Sequence, residues 1–267
     1  MIPKHLKIMK IFDGKFLAYL LACLLFVAST AAFAQTKKPQ FNVLAMAEPG
    51  GHHIEYSKRA RIWLDSLAAR ENFSIDYIDK TDPINEAYLA DYQLIIQLDY
   101  VPYAWKPKAS AAFEKYINEG KGGWIGFHHA TLLGEFDGYK IWPWFAEFMG
   151  GIRYKNYIAD FAAATVKVEE SDHPIMKGVP ASFLVKKEEW YIYDKSPRPN
   201  VDVLASVDES TYSPDSKVKM GDHPVIWSNS KMKAKNVYIF MGHSPVLFES
   251  DVYKTIFKNA IFWAVEK

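Results

Sequence analysis

Gly122-Gly123-Trp124-Ile125-Gly126-Phe127-His128-His129-Ala130 joins a glycine turn, a short apolar run and two adjacent histidines. The run Trp124 to Phe127 reads as a buried strand that opens into a polar turn. A helix is expected before it, from Pro107 to Glu119, with Pro at its start and Gly120 just past its end. Further upstream, Leu94 to Leu98, Ser74 to Ile78 and Phe41 to Met46 are strand-like runs, the first in the chain closed by Pro49-Gly50-Gly51. Between them, Ser57 to Arg70 carries Ala60, Trp63, Leu64 and Leu67 at helical spacing. Downstream, about residues 160 to 230 are richer in strands and turns. Val237 to Phe240 is another buried strand. A last helix follows, with Tyr253, Ile256, Phe257, Ala260, Ile261 and Ala264 at i, i+3, i+4. Repeated β-α units predict an α/β fold: a mostly parallel central sheet with helices on both faces. No internal repeat or low-complexity tract interrupts it. The twin Asp172-His173-Pro174 and Asp222-His223-Pro224 read as similar turns.

The first 34 residues read as a separate segment. Lys4, Lys7, Lys10 and Lys15 precede an apolar run from Phe16 to Ala28, and Ala32-Phe33-Ala34 supplies an A-x-A ending. This is the pattern of a secretory signal peptide, cleaved after Ala34. A single membrane anchor is one alternative, opposed by the short apolar stretch and the A-x-A ending. A lipoprotein signal at Leu20-Leu21-Ala22-Cys23 is another, opposed by the apolar continuation after Cys23. Residues 35 to 40 then form a polar linker, and 41 to 267 a single domain. The full chain carries 32 basic and 31 acidic residues. Removing four Lys and one Asp leaves 28 and 30, a net charge of −2, with seven histidines and no cysteine. Thiol catalysis and disulfides are thereby excluded from the mature chain. An exported chain without cysteine fits an oxidising compartment such as a periplasm. No basic stripe suggests a nucleic-acid partner. The loop Glu48-Pro49-Gly50-Gly51 lacks the spacing of a dinucleotide or P-loop fingerprint.

In open α/β sheets, ligands bind beyond the carboxyl ends of the strands. Glu48, His52 and His53 follow the first predicted strand, and Asp99 and Tyr100 the third. His128 and His129 follow the fourth, and Gly242-His243-Ser244 the last. Five of the seven mature histidines therefore fall at strand ends that a parallel sheet brings to one edge. Histidine suits general acid–base work near neutral pH. Each alone also fits a capping or packing role, and Asp99 could cap a turn. Tyr100, Tyr103, Trp105, Trp142, Trp144, Trp190 and Tyr191 lie in or near loops, where aromatic planes suit a sugar or simply a core. Glu188 and Glu189 precede Trp190-Tyr191; in a strand they face opposite sides, so only one points into a site. The alternative is a solvated surface pair.

Together these segments resemble the ThuA-like (trehalose-utilisation) family. They are the 122–130 stretch, Asp172-His173-Pro174 before Lys177-Gly178-Val179-Pro180, Glu188-Glu189-Trp190-Tyr191, and Tyr238-Ile239-Phe240-Met241-Gly242-His243. The likeness spans about Phe41 to Lys267 and implies the class I glutamine amidotransferase-like fold, a flavodoxin-like three-layer sandwich. In that fold the fourth-strand turn reads Gly-x-Cys-x-Gly, with Cys as nucleophile. Here His128 stands in that place, so glutaminase chemistry, which needs a thiolate, is not expected. The matching triad histidine is His243, but Pro245 replaces the expected carboxylate.

The resemblance implies sugar catabolism beside a dehydrogenase that makes 3-keto-glycosides. Such a sugar has an acidified C–H next to its carbonyl, so a base, an acid and an enolate stabiliser would cleave it. His128, Glu189 and His243 are the candidate catalytic residues. His53, Asp99, Tyr100, His129 and Trp190 are the candidate substrate contacts. His128, Glu189 and His243 also form a zinc-type ligand set, although they lack a helical HExxH spacing. A noncatalytic carbohydrate-binding protein and a metal-dependent hydrolase of another small substrate are the competing readings.

Overall fold

Runs such as Leu94-Ile95-Ile96-Gln97 have no polar face, so they need cover on both sides. A computed structural model describes residues 38–136 and 138–266 and places them in the middle of a sheet. The expected signal peptide, Cys23 and the start of the linker lie outside the described residues. In chain order the elements are β1 (Asn42–Met46), α1 (Ile54–Glu71), β2 (Ser74–Ile78), α2 (Glu86–Leu89), β3 (Leu94–Gln97), α3 (Pro107–Glu119) and β4 (Gly123–Phe127). Then follow α4 (Pro143–Phe148), β5 (Tyr154–Tyr157), β6 (Ala162–Val168), β7 (Ser182–Glu188) and β8 (Tyr191–Tyr193). Last come β9 (Asp202–Ser213), β10 (Pro224–Ser228), β11 (Asn236–Ile239) and α5 (Asp251–Val265).

The large sheet has nine strands in the order β2-β1-β3-β4-β11-β10-β9-β6-β7, and β5 pairs with β8 apart from it. From β2 to β11 every neighbour is parallel. From β11 to β7 every neighbour is antiparallel. The sheet is therefore mixed, not mostly parallel as expected. No α-helix separates β6, β7, β8, β9, β10 and β11 along the chain. Without helical crossovers these strands pair with antiparallel neighbours, whereas parallel neighbours need long crossovers. The parallel half has the flavodoxin-like strand order, in which the order reverses between β1 and β3.

Burial follows the pattern of side chains. β3, β4, β10 and β11 are buried at every position. β6, Ala162-Ala163-Ala164-Thr165-Val166-Lys167-Val168, alternates instead, with Ala162, Ala164 and Val166 inward. α1 buries Tyr56, Ala60, Leu64 and Leu67 on one face. α3 begins on Pro107 and ends at Gly120, whose φ of +69° is a left-handed stop that glycine adopts at no cost. The one polar residue of β3, Gln97, is fully buried and satisfied. It donates to the Tyr100 carbonyl (2.6 Å) and accepts from the Trp124 indole (3.2 Å), which ties the β3 loop to β4.

Candidate functional site

Three loops at the carboxyl edge bring four histidines together, while His52 stays exposed beside them. His53 stands immediately before α1, at the end of the β1 loop. His128 and His129 follow β4 directly, and His243 follows β11 by four residues. The His53 ring centroid is 3.9 Å from that of His129, 4.0 Å from His243 and 5.0 Å from His128. His53 Nε2 and His243 Nδ1 lie 2.7 Å apart and share a proton. Glu189, just past β7, reaches into this group. Its Oε2 is 3.3 Å from His128 Nε2 and 3.4 Å from His243 Nδ1. The His128 and His243 nitrogens are 3.4 Å from each other.

Local structure forces His128 into place. Its φ is +30°, a region that costs a residue with a side chain about 1–3 kcal/mol and needs support around it. That support is a buried hydroxyl network: Tyr238 donates to the His128 carbonyl (3.1 Å), and Thr131 Oγ1 lies 2.7 Å from both Tyr193 and Tyr238. Tyr191 packs on the imidazole at 4.2 Å. Gly242 passes so close that a Cβ there would sit 3.0 Å from the Cβ atoms of His128 and Phe127. Gly242→Ala is therefore expected to displace the His128 turn and lower activity more than stability, checked by comparing kcat with melting temperature.

Both glutamates serve the site. Glu188 is fully buried, and its carboxyl accepts the amides of Gly242 and His243, each at 3.2 Å. It thereby fixes the His243 turn. Glu188 ends β7 and Glu189 lies outside it, so strand alternation no longer applies between them. The solvated-pair alternative does not hold, since Glu188 is 0% and Glu189 19% exposed.

Electrostatics keeps His53, His128 and His129 neutral. Burial first, then neighbouring imidazoles, hold His53 far below its ordinary range. Burial lowers His128 to about 4 against the pull of Glu189, and lowers His129 to about 3. Burial works to raise Glu189, but hydrogen bonds from His128 and His243 outweigh it and keep the carboxyl ionised. His129 Nδ1 lies 2.9 Å from the Asp99 carbonyl oxygen and must donate to it, so its Nε2 carries the lone pair.

The remaining expected contacts are placed differently. Asp99 is fully buried: it accepts the Glu48 amide (3.0 Å) and the Ser57 hydroxyl (2.8 Å), which pins the β1 loop to α1. Tyr100 is buried against Trp105. Trp190, expected to touch substrate, is 0% exposed, stacks on Phe240 at 5.4 Å and donates its indole N–H to the Ala162 carbonyl (2.9 Å). It is a core residue beneath the site, because the chain turns inward after Glu189. Glu48, present in the expected strand-end group but not singled out, approaches His129 Nδ1 to 3.8 Å. Burial, then the charge of Asp99, pushes its carboxyl up to about 7.

A raised carboxyl binds more protons folded than unfolded between its ordinary value of 4.5 and about 7. The stability it contributes is present below 4.5 and lost as pH rises through about 7. Measured against Glu48→Gln, the parent chain should lose stability across that window, by an amount that solvent screening of this partly exposed carboxyl reduces. Denaturant melts at several pH values check this.

Residues 42–264 match the family model for ThuA, described as trehalose utilisation. This chain belongs to the ThuA family. A ThuA-like protein from Bacteroides uniformis ATCC 8492 is 30% identical, with a TM-score of 0.77 over 86% of this chain and 94% of that one. A second, from Parabacteroides merdae ATCC 43184, is 17% identical, with a TM-score of 0.60 over 85% and 90%. Agd3, a carbohydrate deacetylase, is 12% identical, with a TM-score of 0.52 over 84% of this chain and 32% of that one, and shares the fold. No curated protein matches the sequence.

In this ThuA chain one ligand atom each from His53, His128, Glu189 and His243 lies within 4.8 Å of the others. Three of them form a nearly equilateral triangle of 3.3, 3.4 and 3.4 Å: His128 Nε2, Glu189 Oε2 and His243 Nδ1. A tetrahedral ion with zinc-type bonds of about 2.0–2.1 Å has ligand–ligand edges of about 3.3–3.4 Å. The triangle fits such an ion. The 2.7 Å contact of His53 is shorter than an edge and reads as a hydrogen bond.

Proposed function

We propose that this ThuA chain is an enzyme of carbohydrate catabolism that cleaves 3-keto-glycosides by elimination. The observation that carries the reading is the His128–Glu189–His243 triangle at the carboxyl edge of the parallel strands. The family's description as trehalose utilisation supports a sugar substrate. Glu189, ionised, orients the Nδ1–H of His243, which leaves Nε2 to take the proton from C2 of the sugar. The C2–H electrons form the enolate of the 3-keto group. His128, neutral through burial, has a single N–H, directed at Glu189 in the free site (3.3 Å), and in this reading it turns to that oxygen as the enolate forms. The enolate then collapses: C1=C2 forms, the C1–O bond breaks, and protonated His243 returns its proton to the departing oxygen. The products are an enone and an alcohol. His53 and His129, whose rings pack 3.9 Å apart beside this group, are the substrate contacts in this reading.

The triangle's edges favour a second form of this reading, in which His128, Glu189 and His243 hold a zinc-type divalent ion. Such an ion would polarise the keto oxygen as a Lewis acid. His53 and His129 would then be left for proton transfer. The same ligand set would also suit a hydrolase of another small substrate, such as an ester or amide. Incubation with a panel of 3-keto-glycosides, with and without chelator, separates these forms. Release of the second sugar supports the enzyme reading, and loss of release on chelation assigns the ion. Sugar binding without turnover would make the chain a carbohydrate-binding protein instead.

A further inference from the structure

Past Glu48 the carboxyl edge opens into a cavity of about 420 Å³, within the range of small-molecule sites. One wall is a single face of α1, since Ile54, Ser57, Lys58 and Arg61 recur at i, i+3, i+4, i+7. The other wall is the end of β2, with Tyr77 and Asp79. The cavity thus lies beyond the carboxyl ends of parallel strands, next to the β1–β3 reversal, where ligands of such sheets bind.

Two residues join this cavity to the histidine cluster. Glu48 lines the cavity, and its Oε2 lies 3.8 Å from His129 Nδ1. Ser57 lines it too, and its hydroxyl holds Asp99, whose own carbonyl holds His129. A ligand with one ring at the histidines has this space as its continuation.

The lining describes the ligand. Lys58 is paired with Glu55 at 2.8 Å, and Arg61 and Asp79 carry opposite charges, so the wall offers donors and acceptors with little net charge. That suits a neutral polyhydroxylated group better than a phosphate. Arg61 lies over the Tyr77 ring at 4.2 Å and forms no ion pair among the described residues. Its fork of N–H donors is thus left unpaired by any carboxylate beside the ring.

We propose that this cavity holds the second sugar unit, the leaving group, of a disaccharide substrate whose first ring reacts at the histidines. Arg61 and Asp79 contact its hydroxyls, and Glu48 stands at the junction of the two rings. The assignment rests on the elimination reading for its substrate but not for the cavity's affinity for sugar.

The test uses the full chain and its Arg61→Ala variant. Arg61 is exposed on α1, so the fold does not depend on it. Two substrates share the reacting ring: 3-keto-trehalose and methyl 3-keto-glucoside. The variant should lower the preference for 3-keto-trehalose, as a ratio of kcat/KM values, about tenfold. An unchanged ratio overturns the proposal. A separate titration follows the methyl signals of Ile54, Ile78 and Leu98 as unmodified trehalose is added. Shifts in these signals that weaken in Arg61→Ala support the cavity even if neither substrate is turned over, in which case only the elimination reading fails. Absence of such shifts overturns the proposal.

Discussion

Alanine at His128 should lower turnover of a 3-keto-glycoside by about 10²–10⁴-fold, the range that one positioned proton-handling group supplies. The side chain is fully buried and lies 3.3 Å from Glu189 and 3.4 Å from His243. Its removal takes away one corner of the triangle in either form of the reading: the hydrogen bond to the developing oxyanion, or one ligand of the ion. The backbone of the turn should survive. The Tyr238 hydroxyl bonds to the carbonyl of residue 128 and not to the imidazole. Circular dichroism and a thermal melt confirm the fold, and steady-state kinetics measure the loss. Glu189→Gln is the companion variant, keeping the shape while removing the charge that orients both imidazoles. A His128→Ala protein that stays folded and keeps full turnover would place the reaction elsewhere.

Alanine at Trp190 should cost about 3–5 kcal/mol of stability, the usual loss for a large aromatic removed from a core. In a domain of this size that is a fall of about 6–20 °C in Tm. Two effects add. The indole stacks on Phe240 with an interplanar angle of 12°, so its loss opens a cavity beneath Glu188 and Glu189. The Ala162 carbonyl also loses its donor in a buried place. An unchanged Tm together with weaker sugar binding would instead return Trp190 to the surface role that its position in the sequence suggests.

Much of the parallel half was legible because its strands are short apolar runs closed by polar turns. The same signal located the histidines, since residues after parallel strands share an edge whatever the loops do. His53, His128, His129 and His243 do converge, with ring centroids no more than 5.6 Å apart in the pairs that touch. The antiparallel half was less legible. Alternating strands joined by turns show that a sheet exists but not which neighbour each strand takes. Burial at the edge was not legible at all. Asp99 and Trp190 sit in polar, loop-like surroundings in the sequence, yet each turns inward to satisfy backbone groups that only the folded chain brings near. Glu188 followed the same logic. Its partners, the amides of Gly242 and His243, lie more than fifty residues away.

Incubation of the chain with 3-keto-trehalose in D₂O tests the elimination most directly. Proton abstraction at C2 should appear in the NMR spectrum as loss of the C2 proton signal, with a C1=C2 enone as the product, at the rate of glucose release. His243→Ala should suppress both signals together. Glucose release with the C2 proton retained would contradict elimination, and a folded chain that releases no glucose would contradict the enzyme reading itself.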